Sequence, residues 1–150
     1  MTVRVQKQDF DAGYEIRRLS VDDAHIGGVC SFTGLVRDRN TDGFIKAMTL
    51  EHYPGMTEKQ LGEIDVEANR RWQLDGSLII HRYGRLIPGD QIVLVITASA
   101  HRKDAFESCE FLVDWLKTKA PFWKNEETGK GKKWVQAKKS DDIAAGRWQK

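Results

Sequence analysis

The longest apolar run of the chain is Ile92-Val93-Leu94-Val95-Ile96-Thr97-Ala98. A run of this length is typical of a buried strand, and it is far shorter than the roughly 20 residues that a membrane-spanning helix needs. Residues 77–83 predict another strand, and the turn residues Ile87-Pro88-Gly89-Asp90 lie between the two. The sequence therefore predicts a hairpin over residues 77–98.

Apolar residues recur at helical spacing on both sides of this hairpin. On the C-terminal side they form a stripe, which Pro121 prevents from running further: Ala105, Cys109, Leu112, Val113 and Leu116. On the N-terminal side the spacing is again helical, at Leu61, Ile64, Ala68 and Trp72. Thr57 and Gln60 predict a capping box at the start of this earlier helix.

The remaining segments predict shorter elements. Two strands, at residues 28–34 and 44–53, flank a polar loop that begins at Arg37 and resemble a long hairpin. A strand near Val3 and a helix at residues 14–19 come before them, and a strand at residues 134–137 and a helical turn capped by Ser140 come last. Helices interleaved with hairpins predict one α+β domain over residues 1–150, with the helices on one side of mostly antiparallel strands.

Composition indicates a soluble globular protein. Hydrophobic residues make up 40% and charged residues 31% of the 150 residues, which is unlike disordered or membrane-spanning chains. The N-terminal residues lack the apolar core of a secretory signal, so we expect a cytoplasmic protein. Cys30 and Cys109 have no His or Cys at metal-ligand spacing nearby, which predicts two buried free thiols and no metal site.

Basic residues cluster near the C-terminus, although the net charge is only +2. The segment Lys117-Thr118-Lys119-Ala120-Pro121-Phe122-Trp123-Lys124 combines amines with a rigid proline and two aromatic walls. Burial and cationic neighbours lower the pKa of a lysine toward the range of acid–base or covalent chemistry, so Lys117 and Lys124 are candidate catalytic residues. Alternatively, the aromatics belong to the core and the lysines form an exposed fringe. The residues alone leave both interpretations open.

Candidate anion-binding residues lie at two predicted strand ends. Arg37 follows one strand, where its guanidinium can hold a phosphate with two hydrogen bonds. His101-Arg102 lies between the apolar strand and a helix, a position that suits phosphate or carboxylate. The alternative for this pair is a helix cap beside a solvated arginine. Glu51-His52-Tyr53 could belong to a catalytic site, but packing or a local hydrogen bond is the favoured interpretation of His52.

Motifs of most other functional classes are missing. The sequence contains no Ser-His-Asp order, P-loop, dinucleotide-binding glycine pattern or zinc spacing. Lysine and arginine chemistry on an anionic substrate remains. A nucleic-acid-binding module is a rival hypothesis, because Trp123 and Trp134 lie among lysines, but the near-neutral charge weighs against it. A second rival is a binding scaffold without activity.

Four motifs carry a resemblance to a known family: residues 32–37 (Phe-Thr-Gly-Leu-Val-Arg), residues 50–57 (Leu-Glu-His-Tyr-Pro-Gly-Met-Thr), Ala100-His101-Arg102 and residues 116–124. Together they resemble the molybdopterin synthase large-subunit family, from about Gly28 to Trp148. The resemblance implies an α/β hammerhead fold with an added antiparallel β subdomain. It also implies a homodimer that binds two small, ubiquitin-like sulfur-carrier subunits, giving a heterotetramer.

The function implied by this resemblance is sulfur transfer. A thiocarboxylate at the carrier's C-terminus delivers sulfur to cyclic pyranopterin monophosphate and forms the molybdopterin dithiolene, without a resident cofactor. By resemblance, Lys117 and Lys124 are the catalytic residues. The implied substrate-binding residues, some of which could reach across the dimer interface, are Leu35, Val36, Arg37, His101, Arg102, Lys117, Lys124, Asn125 and Glu126. Lys138, where the family pattern has arginine, is implied as a secondary anion contact that keeps the charge but loses the fork.

Overall fold

The computed structural model describes residues 2–41, 43–136 and 138–149, which form two β-sheets and four helices. In chain order the elements are β1 (Thr2–Gln6), α1 (Ala12–Ser20), β2 (Gly28–Leu35), β3 (Arg39–Asn40), β4 (Gly43–His52), α2 (Met56–Arg71), β5 (Gly76–Arg82), β6 (Gly84–Leu86), β7 (Gln91–Ser99), α3 (Arg102–Thr118), β8 (Phe122–Thr128), β9 (Gly131–Val135) and α4 (Lys139–Gly146). The predicted α+β class is confirmed.

The first sheet has the strand order β1-β5-β7-β2. Its two central strands are the predicted hairpin, in which β5 and β7 run antiparallel with Ile79 opposite Val95. β2 pairs antiparallel with the other side of β7, and β1 pairs parallel with β5. Residues 92–96 and 98 are buried, as expected for a strand that is covered on both faces.

The helices cover both faces of the first sheet, so the prediction that they lie on one side is wrong for α1. Because side chains alternate along a strand, Leu94 and Ile96 face α1, where Ile16 and Leu19 pack against them. Val93 and Val95 face the other way and pack with Cys109 and Leu112 of α3. A strand with two apolar faces does not indicate which helix covers which face.

The second sheet is antiparallel, with the order β3-β4-β8-β9, and β6 also pairs with β4. It is the added antiparallel subdomain that the resemblance implied. The predicted hairpin between residues 28–34 and 44–53 is wrong, because β2 lies in the first sheet and β4 in the second. β4 pairs instead with β8, with Leu50 opposite Lys124. The polar loop that begins at Arg37 therefore crosses from one sheet to the other.

Two predicted helix caps are also wrong. At the start of α2 the Glu58 carboxylate accepts a hydrogen bond from the N–H of Gly55 (2.7 Å), whereas Thr57 is used elsewhere. The hydroxyl of Thr57 accepts a hydrogen bond from the N–H of Tyr53 (3.0 Å) and donates one to the carbonyl of Pro121 (3.3 Å). At α4 the cap position is Lys138, and Ser140 lies inside the helix.

The C-terminal segment is attached to the helix layer through Trp148. Its ring packs edge-on against Trp72 and Phe111, with centroid distances of 5.6 and 5.7 Å. Its indole N–H donates to an oxygen of Asp114 at 2.7 Å. These contacts hold α4 against α3 and thereby place its first turn beside the end of that helix.

The state of the two cysteines and the character of the four helices can be compared with what composition predicted. Both cysteines are free thiols, and Cys109 is buried as predicted. The prediction that Cys30 is buried is wrong, because it is half-buried on β2. Among the residues that the structure describes, no helix combines the length and the apolar character needed to cross a membrane.

Candidate active site

A cavity of about 400 Å³ lies where the two sheets meet the ends of α3 and α4. Its walls come from the end of β2, the end of α3, β8 and the first turn of α4. The lining residues that matter for chemistry are Leu35, Arg37, His81, Lys117, Phe122, Lys124, Glu126, Lys138 and Asp141. The structure thus places both candidate lysines in one cavity.

Lys117 and Lys124 reach the cavity from different elements. Lys117 lies in the last turn of α3, and Lys124 is the third residue of β8. Only residues 119–121 connect these two elements, and Pro121 prevents the helix from continuing. Phe122, Lys124 and Glu126 share one face of β8 because side chains alternate along a strand.

Both lysines lose hydration in the cavity, which lowers their pKa. Burial lowers the pKa of Lys117, and Lys138 and Arg37 add to this effect, whereas Asp141 opposes it. Burial lowers the pKa of Lys124 to about 8, with Lys117 as the next cause and Asp141 and Glu126 opposing. The alternative in which the lysines form an exposed fringe is therefore wrong for this pair.

Arg37 and Lys138 are exposed residues at the edge of the cavity, where an anion can reach both. From here the cavity opens into a wider basic groove of 1080 Å³, whose cationic side chains are Arg37, Arg39, Lys130, Lys132, Lys133 and Lys138. Glu126 is buried between cavity and groove, and its carboxylate accepts a hydrogen bond from the Asn40 amide at 3.0 Å. The arrangement suits an anionic group at the mouth and a reacting group near the amines.

Four of the predicted substrate-binding residues do not line the cavity, and two of them, Val36 and Asn125, lie close to residues that do. Val36 is buried in the core, while its backbone N–H and carbonyl bond to Asp90 and Gly89, each at 2.9 Å. Asn125 lies on the opposite face of β8 from Lys124, and its side-chain oxygen is buried without a hydrogen-bond partner in the described part of the chain. Neither side chain therefore reaches this cavity within the chain.

His101 and Arg102 lie far from the cavity of their own chain. They begin α3, whereas Lys117 is near its end, and a rise of 1.5 Å per residue separates Arg102 from Lys117 by roughly 22 Å along the axis. Both residues are exposed, and Arg102 lies against Gly28 at the start of β2. A single chain does not bring this pair together with the lysines.

The sequence interpretation missed two cavity residues, His81 and Asp141. His81 continues the apolar run of β5 and looks like a strand residue in the sequence. Asp141 follows Lys138 and Ser140 in a segment that resembles an ordinary helix start. His52, the predicted packing residue, lies outside the cavity and contacts the ring of Tyr83 at a centroid distance of 4.3 Å.

No group of three or more His, Cys, Asp or Glu residues within 2–41, 43–136 and 138–149 is arranged to hold a metal ion. The ionisable groups of the cavity are mainly amines and a guanidinium, which bind anions rather than cations. The absence of a resident cofactor stays a prediction.

Comparison with known proteins identifies the family. A family model described as MoaE protein matches residues 5–119. The molybdopterin synthase catalytic subunit of Ralstonia nicotianae is 53% identical over 98% of this chain and 84% of that protein. The molybdopterin synthase catalytic subunit of Pseudomonas aeruginosa is 52% identical over 99% of both chains.

A solved structure agrees with these relatives. The molybdopterin biosynthesis MoaE protein from Burkholderia ambifaria has a TM-score of 0.83 and 51% sequence identity, with 99% of both chains covered. The similarity includes both sheets and the segments that form the cavity. This chain therefore belongs to the MoaE family, whose curated relatives are molybdopterin synthase catalytic subunits.

Proposed function

We propose that this chain is the catalytic subunit of a molybdopterin synthase, a sulfurtransferase. It transfers sulfur from the thiocarboxylated C-terminus of a small ubiquitin-like carrier subunit to cyclic pyranopterin monophosphate, and the product is the molybdopterin dithiolene. The observation that carries the proposal is the pair Lys117 and Lys124, two amines of lowered pKa in one cavity whose mouth is cationic. Membership of the MoaE family supports this enzyme over the scaffold and nucleic-acid alternatives.

The lysines supply the proton transfers. Each sulfur transfer breaks the carbon–sulfur bond of one thiocarboxylate, forms a carbon–sulfur bond on the pterin and leaves the carrier with a carboxylate. On the pterin, each new carbon–sulfur bond replaces a carbon–oxygen bond, and the displaced oxygen stays on the phosphate or leaves as water. Hydrolysis of the acyl–sulfur bond then puts a water oxygen into the carrier's carboxylate, and two carriers are used for each dithiolene. With a pKa of about 8, roughly a tenth of the Lys124 amines carry no proton at pH 7, so this residue can accept and return a proton. The neutral amine is also the form that can attach covalently to an acyl group.

Arg37 and Lys138 bind the substrate phosphate in this proposal. Both are exposed cations at the mouth, and the Arg37 guanidinium can donate two parallel hydrogen bonds to phosphate. The ammonium group of Lys138 is a point charge without the paired, planar donors of a guanidinium. We therefore expect it to attract the phosphate but not to fix the phosphate's orientation. Leu35 forms the adjacent apolar wall.

The basic groove is the proposed entry path of the carrier's C-terminus. It is continuous with the cavity through Arg37, Glu126 and Lys138. A thiocarboxylate is an anion, and a cationic groove raises its local concentration and steers it inward. The assembly that we propose is a homodimer of this chain with one carrier on each half, located in the cytoplasm.

His101 and Arg102 enter the proposal through the second copy of the chain. Because both lie roughly 22 Å along α3 from Lys117, we propose that they reach the cavity of the partner subunit rather than their own. Their exposure at the start of a helix, where backbone N–H groups favour anions, is compatible with this role.

The first test is product formation. We expect the wild-type chain, mixed with a carrier that ends in a Gly-Gly thiocarboxylate and with cyclic pyranopterin monophosphate, to form dithiolene product. Lys117→Ala and Lys124→Ala should each lower kcat at least about 100-fold, because proton transfer or covalent attachment is lost. Carrier binding, measured by calorimetry, should stay within about twofold.

The matched control is Lys119→Ala. Lys119 lies between the two lysines in sequence, but it is exposed and does not line the cavity. Its loss should leave product formation unchanged. A wild-type chain that binds carrier without forming product would contradict the sulfurtransferase and favour a scaffold, and a chain that does not bind carrier would contradict the whole proposal.

A further inference from the structure

One buried titratable residue of the cavity has no role in the proposed function. His81 lies on β5, the residue is 4% exposed, and it is one of the residues that line the cavity. Alternation along β5 directs His81 and Ile79 away from α1, toward the face that α3 covers. Burial of an imidazole costs free energy unless its nitrogen atoms make hydrogen bonds, so the partners of both ring nitrogens have to be identified.

Two contacts fix the orientation of the His81 ring. It stacks on Phe122 with a centroid distance of 3.7 Å and an interplanar angle of 16°. Its Nδ1 lies 2.8 Å from the backbone carbonyl of Arg82. A carbonyl oxygen can only accept, so Nδ1 carries the proton and Nε2 has a free lone pair.

The second nitrogen is the unsatisfied one. Within the part of the chain that the structure describes, no group donates to Nε2. This nitrogen is at the tip of the ring, the part farthest from the backbone, and the ring borders the open cavity. Nε2 is not among the fully buried unpaired atoms of the described residues, so it keeps some accessible surface although its residue is buried. An unpaired acceptor that is accessible from a cavity is suited to a donor on a bound molecule.

Burial, reinforced by nearby positive charges, keeps His81 neutral. Burial lowers the pKa of His81 to about 3, and the positive charges of Lys124 and Lys117, with His52, add to this effect. These residues face it from β8, α3 and β4, and the other charged cavity residues are Arg37, Glu126, Lys138 and Asp141. His81 is therefore an uncharged acceptor in a cavity whose other groups are mostly cationic donors.

We propose that His81 and Phe122 form a recognition subsite for the ring of the substrate, in which Nε2 of His81 accepts a hydrogen bond from an N–H or O–H donor of the pterin. A reduced pterin carries several N–H donors, both on its flat pyrimidine ring and on the reduced ring fused to it. The cationic mouth then holds the phosphate, and the subsite orients the carbon atoms that receive sulfur. This inference deepens the proposed function and rests on it.

The test compares three substitutions at His81. His81→Phe keeps a flat ring on Phe122 and removes the acceptor. His81→Gln provides an amide oxygen at about the position of Nε2, whereas His81→Asn keeps a donor near the position of Nδ1 and is too short to replace Nε2. We expect kcat/KM for the pterin to fall about tenfold or more for Phe and Asn, because a substrate donor is left unpaired. Gln should recover most of this loss.

Three readouts separate recognition from a structural effect. The KM for the thiocarboxylated carrier should not change, since that partner enters along the basic groove. The loss for His81→Phe should be the same at pH 6 and pH 8, because a neutral imidazole does not titrate there. His52→Asn, which removes a histidine from the same aromatic cluster but outside the cavity, should keep normal kcat/KM.

The outcomes distinguish the two proposals. Folded His81→Phe with pterin kcat/KM within twofold of wild type overturns the subsite, as does an equal loss for pterin and carrier. If the wild type forms no product, the proposed function fails, and the subsite is then tested by the fluorescence of a 6-substituted pterin phosphate on titration with protein. Tenfold weaker binding to His81→Phe supports the subsite by itself, and equal binding overturns it.

Discussion

Lys124 is a residue that the folded protein holds at a cost in stability. The ammonium group is fully hydrated in the unfolded chain, with a pKa near 10.5, and burial lowers its pKa to about 8 in the fold. Below pH 8 the folded protein must keep a charge in a poorly hydrated cavity. Between pH 8 and pH 10.5 the unfolded chain binds more protons than the folded one, so stability rises with pH in this window.

Replacement of this lysine should therefore stabilise the protein while it abolishes activity. We expect Lys124→Met to raise the free energy of unfolding by about 2 kcal/mol at pH 7. The gain should shrink above pH 8 and vanish near pH 10.5. Urea unfolding of both proteins at pH 7 and pH 9.5 measures this difference. A gain that does not depend on pH would mean that burial of the ammonium charge is not its cause.

Single residues also mark where sequence reasoning succeeds. The structure places Lys117, Lys124 and Arg37 at one cavity, as the local pattern of amines beside proline and aromatic residues and an arginine at a strand end suggested. Their roles stay predictions. His81 could not be predicted, because Leu78-Ile79-Ile80 before it indicates only a strand. His81 borders the cavity only because β8 packs beside it. Phe122 of β8 is about 40 residues away in sequence, and its ring stacks on that of His81.

Among the elements, the start of α2 and the start of β8 depend on one hydroxyl group. Thr57 joins them through its bonds with Tyr53 and Pro121, and its side chain is fully buried. Thr57→Val keeps the shape and removes both bonds, leaving the N–H of Tyr53 without its side-chain acceptor.

This substitution should lower the free energy of unfolding by about 2 kcal/mol, because buried polar groups lose their partners. Thr41→Val, at an exposed position, is the control and should change stability by less than about 0.5 kcal/mol. Urea unfolding monitored by tryptophan fluorescence gives both values. Equal effects of the two substitutions would mean that the Thr57 bonds contribute nothing.

Elements were easier to predict than their pairing. The strands at residues 77–83 and 92–98 and the helix that ends before Pro121 follow from local periodicity, and the structure contains them as β5, β7 and α3. The predicted partner of β4 is wrong because the loop after Arg37 looks like a hairpin connection. β4 pairs instead with β8, a strand far away in sequence, and a local pattern of residues does not indicate such a partner.

At the scale of the whole molecule, the separation of Arg102 from Lys117 predicts active sites shared between two chains. The prediction is tested by mixing Lys117→Ala chains with Arg102→Ala chains. If each site takes its lysine from one chain and its arginine from the other, a mixed dimer contains one intact site. A 1:1 mixture that exchanges freely should then recover about a quarter of wild-type activity.

Each variant alone provides the baseline for this experiment, and a mixture of two wild-type preparations controls for exchange. Activity of the mixture no higher than that of the separate variants would mean that His101 and Arg102 do not act across the dimer. The single domain over residues 1–150 stays a prediction at this scale.

The short connection between α3 and β8 has an evolutionary consequence. Residues 119–121 are all that separates the helix bearing Lys117 from the strand bearing Lys124, and the N–H of Phe122 bonds back to the carbonyl of Ala120 at 2.8 Å. One inserted residue at this connection would turn the next side chains of β8 to the opposite face and remove Lys124 from the cavity. We therefore expect selection to eliminate insertions and deletions at residues 119–121.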